Sequence, residues 1–259
     1  MTLQRFVLLV LCMVVIAGAG IATGQEAWPQ FRGLAAGVVP DDPNLPEMWS
    51  DTENVVWATD IPGLSWSSPV ITGDHVFVTS AISAGDEPDP IKGLYDPGME
   101  NGSEGSNNEH RWMLYDLSFQ TGQIRWQREL HSAPPPMKRH LKNSFASETP
   151  VTDGRRVYVY FGSIGLLGAF NLSGETVWTQ EIDVYNTTLE MGTAASPILY
   201  GDRVYIVNDN TTRSFVAAYN KDNGDELWRV DRDERGQNWS TPFVWENELR
   251  TELVTAGTQ

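Results

Sequence analysis

The sequence predicts an all-β chain built from repeated four-stranded antiparallel units, and three observations carry that expectation. A unit recurs about every 45 residues over most of the chain. Within each unit, short runs rich in Val, Ile, Tyr and Phe alternate with period two and are separated by Gly-Asp, Asp-Gly or Asn-Gly turns. After the first two dozen residues, no helical periodicity of any length follows.

The clearest copy opens at Ser196-Pro197, turns at Gly201-Asp202 and runs on to Asn208; it resumes over Phe215 to Asn220 and ends in Asn223-Gly224 and Trp228. The copy before it opens at Thr149-Pro150, turns at Asp153-Gly154, resumes over Leu167 to Asn171 and ends in Ser173-Gly174 and Trp178. An earlier copy opens at Ser68-Pro69, turns at Gly73-Asp74, resumes over Arg111 to Asp116 and ends in Thr121-Gly122 and Trp126. A fourth begins at Thr241-Pro242. The Pro-to-Pro intervals are 81, 47 and 45, and the first becomes ordinary once residues 84–110 are read as an insertion.

A four-stranded meander of this size matches one blade of a β-propeller. Residues 54–259 therefore read as a partial propeller, with blades starting near 68, 149, 196 and 241, after an extended lead-in at 25–53. One Trp per unit has a packing role: Trp126, Trp178 and Trp228 are large flat rings that fill the wedge between adjacent sheets. The turn glycines supply positive φ. Asn54 to Ile61 reads as an outer strand without its blade, with Trp57 at the position of the other three.

The chain opens with Arg5 and an apolar run from Phe6 to Ala19, the pattern of a secretory signal peptide over residues 1–24. The run is shorter than the roughly 20 residues of a spanning helix, so no membrane span is expected after its removal. The implied location is periplasmic or extracellular. The single cysteine, Cys12, lies inside the run, so the processed chain has neither disulfides nor thiolate ligands. Net charge moves from −16 to about −17 on processing, which disfavours nucleic acid and anionic lipid as partners.

The recurring Xaa-(Ser/Thr)-Pro-Xaa-Val, Gly-Asp-Xaa-Val-Tyr-Val, Ala-Xaa-Asn/Asp and Thr-Gly-Xaa-Xaa-Xaa-Trp steps resemble the tryptophan-docking repeats of PQQ-like (pyrroloquinoline-quinone-type) propellers. That family is typically eight-bladed and includes quinoprotein alcohol dehydrogenases and the envelope-assembly lipoprotein BamB. The resemblance covers Trp57 to Gln259. Trp28 to Gly33, together with Lys142 to Gly154, further resembles secreted bacterial members whose activity is generally unassigned.

The resemblance implies about three and a half blades of an incomplete ring, an N-terminal fragment whose missing C-terminal blades pair with residues 54–61; the alternative is a half-propeller completed by another subunit. For the quinoprotein branch it also implies PQQ, Ca²⁺, a vicinal cysteine pair and an Asp base. No motif assigns these roles to any residue here, so catalytic and cofactor residues stay unknown and no metal ligands are named.

Between Trp126 and Pro150 a long connection concentrates bases in an acidic chain, and Lys138, Arg139, His140, Lys142, Asn143 and Ser144 are the ligand-face candidates. The competing reading is that these bases merely offset nearby acids. The insertion over Gly85 to Glu109 is rich in oxygen donors and reads either as a solvated loop or as a site for a hard cation. His140, Ser144 and Glu148 share four-residue spacings that have meaning only on a helix, which this Pro-flanked segment does not favour. His75 reads as an outward-facing strand residue. No phosphate loop, His-Glu-Xaa-Xaa-His or Cys-Xaa-Xaa-Cys is present. The first functional reading is an exported scaffold that binds a protein or extracellular ligand. The alternatives are a PQQ-dependent alcohol or sugar dehydrogenase and a BamB-like envelope assembly scaffold.

Overall fold

The computed structural model describes residues 27–87, 103–187, 190–232 and 238–257. The signal-peptide reading and the middle of the insertion lie outside the described residues. Every named element is a strand. The first blade is β1 (Val70–Thr72), β2 (His75–Ser83), β4 (His110–Ser118) and β5 (Ile124–Ala133), in that order across the sheet. The second is β7 (Val151–Thr152), β8 (Arg156–Phe161), β9 (Leu166–Asn171) and β10 (Thr176–Glu181). The third is β11 (Ile198–Tyr200), β12 (Arg203–Asn208), β13 (Phe215–Asn220) and β14 (Glu226–Asp231). A hairpin of β15 (Phe243–Glu246) and β16 (Thr251–Val254) starts a fourth. The described sheets do not close a ring.

Blades pack face to face, which changes how the alternation reads. In β8, Val157, Val159 and Phe161 join the core shared with the first blade. Tyr158 and Tyr160 point the other way, into the core shared with β12 and β13. A strand buried on both faces needs apolar residues at every position, so Val-Tyr-Val-Tyr-Phe sorts two interfaces rather than core from solvent.

Each Trp of the last strand docks on the next unit. Trp57 Nε1 donates to the Phe119 carbonyl (2.8 Å), Trp126 to Leu172 (2.9 Å) and Trp178 to Lys221 (2.9 Å). The indole faces then lie on Gly122, Gly174 and Gly224; a Cβ at Gly174 would sit 2.9 Å from the Trp126 ring, and one at Gly224 2.6 Å from Trp178. These glycines, at φ +70, +81 and +80, are needed both for the turn and for the close approach. The pairing slips by one residue beside Trp126, Trp178 and Trp228, and such a bulge re-aims the side chain toward the neighbouring blade. Residues 54–61 carry no ladder, yet Trp57 docks as its counterparts do. Trp228 packs on Tyr205 with Val244 and Leu253 alongside.

A second stitch runs along the inner edge and explains the Ser/Thr-Pro step. The Ser68 N–H donates to Thr149 Oγ1 (2.9 Å), the Thr149 N–H to Ser196 Oγ (2.9 Å) and the Ser196 N–H to Thr241 Oγ1 (3.1 Å). Each hydroxyl satisfies a backbone donor of the preceding blade that has no ladder partner. Inside this edge runs the lead-in. Trp28 exchanges both backbone hydrogen bonds with Ile71, and the Pro29 carbonyl accepts the Thr152 N–H (2.8 Å), so the segment crosses the inner strands of two blades. The Trp28 ring lies on Gly33, where a Cβ would meet it at 2.9 Å.

Candidate ligand-binding face

The meander sends its connections alternately to opposite ends. Short turns at 73–74, 153–155 and 201–202, with those at 119–123, 172–175 and 221–225, fall at one end. The connections at 84–109, 134–150, 182–197 and 232–242 fall at the other. Among the described residues, the long connections thus leave and re-enter the sheets at one face, the usual place for function on a rigid scaffold. The strand β5 runs on to Ala133, so the first connection is shorter than the Trp126-to-Pro150 spacing suggested, and His131 belongs to the strand.

Within 134–150, Arg139–His140 form the short strand β6, paired with β3 (Ser103–Glu104) of the insertion. Arg139 is buried. Its guanidinium donates to Glu87 (2.5 Å) and to the Asn143 carbonyl (2.8 Å), and lies over the Phe145 ring at 5.2 Å. The other Glu87 oxygen is 2.5 Å from His110 Nε2. The His110 hydrogen bond, then the Arg139 charge, hold the Glu87 carboxyl below its ordinary range against the cost of burial. This network clamps the described ends of the insertion to the long connection.

A second cluster lies toward the inner strands. Glu148 is buried; its Oε1 accepts the Gly162 N–H (3.1 Å), and its Oε2 is buried without a hydrogen-bond partner. Burial pushes this carboxyl up to about 7, opposed by the nearby Thr193 side chain and the Gly162 N–H. Tyr160, whose hydroxyl accepts from Asn208 Nδ2 (3.0 Å), is held above its ordinary value by burial and then by the Glu148 charge. With Thr193 and Trp239 these groups line a recess of about 10 Å³, room for about one water molecule. Asp209 is neutralised by Arg232 at 3.0 Å.

The six ligand-face candidates therefore do not form one basic patch. Arg139 and Ser144 are buried. The Asn143 amide is spent inside the fold, donating to the Met191 carbonyl (2.8 Å) and accepting from the Ser144 N–H (2.8 Å) and the Ser147 hydroxyl. Half-buried His140 accepts the Lys142 N–H at Nδ1 (3.0 Å). Lys138 is exposed and pairs with Glu190 (2.5 Å), while Lys142 is exposed on the rim of a cleft between the lead-in and the inner strands. The Ser144 hydroxyl pairs with Ser147 (3.1 Å).

Sequence reasoning missed Glu87 and His110, whose partner Arg139 is far along the chain, and the burial of Glu148, which its Thr149-Pro150 neighbours signalled only as a strand start. It also misread His75, which bonds the fully buried Asp116 (2.8 Å) at the turn end. Register pairs Ser118 with His75 as Asn171 pairs with Arg156 and Asn220 with Arg203; Asp116 thus takes the place of Ala169 and Ala218.

Among the described residues, no three His, Cys, Asp or Glu side chains converge to hold a metal. The chain has one cysteine, so of the features that the quinoprotein branch implies, the vicinal cysteine pair is missing from this sequence.

Trp-on-Gly docking between successive four-stranded sheets, with a hydroxyl stitch inside, defines a β-propeller of the tryptophan-docked class. The family model described as outer membrane protein assembly factor BamB matches residues 20–182 and 110–246, and the chain belongs to this PQQ-like propeller family. Among solved structures it is similar to a quinohemoprotein alcohol dehydrogenase from Pseudomonas putida HK5, at 16% identity over 67% of this chain and 21% of that one, TM-score 0.40. It is similar to the corresponding enzyme from Comamonas testosteroni, at 15% identity over 66% and 21%, TM-score 0.40. BamB from Moraxella catarrhalis shares 16% identity over 71% of this chain and 57% of its own, TM-score 0.38. The chain thus spans about a fifth of each dehydrogenase and little more than half of BamB. No curated protein matches it. No helix among the described residues is long and apolar enough to cross a membrane.

Proposed function

We propose that the protein is an exported propeller scaffold that binds a protein or extracellular ligand through its long-connection face. The observation that supports this reading is that the long connections among the described residues leave and re-enter the sheets at one end, where the Arg139–Glu87–His110 network holds two of them together. Rigid positioning of long segments favours recognition, because less chain entropy is lost on binding. Envelope assembly, the role named in the family's description, is one form this takes.

A photo-crosslinking side chain placed at Lys138 tests the reading against one placed at Asp202 in the opposite turn. Adducts to one identified partner from position 138 and none from 202 are expected. Adducts from 202 alone would sink it. The dehydrogenase reading is tested by adding PQQ and Ca²⁺ to the purified protein with an alcohol or sugar; dye reduction would overturn the binding-only view.

A further inference from the structure

Between the lead-in and the inner strands of the second to fourth blades lies an axial cleft of about 1090 Å³. It runs from Trp66 and Lys142 at the long-connection end to Tyr200 and Glu246 at the turn end. Two features mark it. Its wall carries two exposed indoles: Trp66 is 51% and Trp239 39% exposed, and the Trp239 ring is fixed by donation from Nε1 to the Gly192 carbonyl (2.9 Å). It also carries two cations, Arg32 and Lys142, that have no carboxylate within salt-bridge distance among the described residues. Arg32 instead stands over its own Phe31 ring at 5.4 Å. Most other arginines in this acidic chain are paired with acids.

We propose that this cleft binds an acidic oligosaccharide, with pyranose rings on Trp66 and Trp239 and a carboxylate or sulfate against Arg32 and Lys142. The apolar C–H face of a pyranose suits the negative face of an indole, and its hydroxyls suit the Ser240 and Glu246 groups along the wall. An elongated cleft favours a chain-shaped ligand. A net charge of −16 repels anions at long range, so the unpaired cations act only at contact distance, where a charge-assisted hydrogen bond is strongest. This inference rests on the binding-scaffold reading and names its ligand.

Titration of the whole purified protein with trigalacturonate, a sulfated trisaccharide and neutral maltotriose, read by tryptophan fluorescence and calorimetry, tests it. One or both acidic sugars should bind at least about tenfold more tightly than maltotriose. Which of them does so separates carboxylate from sulfate. Arg32→Gln and Lys142→Gln should each weaken acidic-sugar binding about tenfold, and Trp66→Ala should weaken it and reduce the fluorescence change, with melting temperatures showing that each variant folds. Equal binding of acidic and neutral sugars, indifference to Arg32→Gln, no acidic-sugar binding at millimolar concentration, or tighter binding of a nucleotide control would each overturn it. If the sugars fail while position 138 still crosslinks a partner, only this inference falls; if both fail, the scaffold reading falls with it.

Discussion

Replacing Gly174 by alanine probes the docking that joins the first blade to the second, and Gly201→Ala supplies its control. Both glycines have positive φ, +81 and +61, so each substitution carries the left-handed cost of about 1–2 kcal/mol, less the entropy removed from the unfolded chain. Around Gly201 nothing lies within 4 Å. At Gly174 the new Cβ would stand 2.9 Å from the Trp126 ring, and reaching an ordinary carbon contact requires the indole to move by roughly 0.6–1 Å. That shift breaks the 2.9 Å bond from Trp126 Nε1 to Leu172, worth about 1 kcal/mol, and loosens ring packing by about 1–2 kcal/mol. Gly174→Ala should therefore lose about 2–3 kcal/mol more than Gly201→Ala. Urea unfolding followed by circular dichroism measures the difference, which corresponds to a melting temperature roughly 5–10 °C lower. In a Trp126→Ala background the two substitutions should cost the same within about 0.5 kcal/mol. Equal losses in the wild-type background would refute the claim that Trp126 on Gly174 ties these blades together.

Three further outcomes are expected. Glu148 has a folded pKa raised from 4.5 to about 7, so the folded state holds the extra proton between these values and stability falls as pH rises through that window. Glu148→Gln should remove about 3 kcal/mol of this dependence, raising melting temperature relative to wild type at pH 8 but not at pH 4, and an equal difference at both values would contradict it. Thr149→Val leaves the Ser68 N–H without its acceptor and should cost about 1–3 kcal/mol in urea unfolding, whereas Thr149→Ser keeps the stitch and should cost less. Arg139→Met leaves half-buried Glu87 with only its His110 partner and should cost about 1–3 kcal/mol, part of it recovered in the Arg139→Met/Glu87→Gln double variant; no recovery would mean that the pair is not the source.

The blades were readable because each carries its own turn chemistry and because the docking Trp sits four residues after a glycine it does not itself touch. Gly122, Gly174 and Gly224 each receive the Trp of the unit before, which repetition implies without stating which neighbour is met. The site was far less readable. Arg139 looked like a surface base because it stands among Lys138, His140 and Lys142, and only the insertion folding back to bring Glu87 within 2.5 Å turns it inward. His75 looked like a solvent-facing alternation residue, since nothing local showed that Asp116, a full strand away, replaces an alanine beside it.

By itself the sequence determined the strand content, the turns, the repeat length and the membership of a tryptophan-docked propeller family. Those properties follow from local backbone preference and from a pattern repeated in register, both encoded over a few residues. Tertiary structure alone decided which cations find an acid among the described residues, which carboxyl is buried, and that Trp66, Trp239, Arg32 and Lys142 share one cleft. Burial and charge pairing depend on segments separated by dozens to hundreds of residues, and those meet only when the blades pack around a common axis.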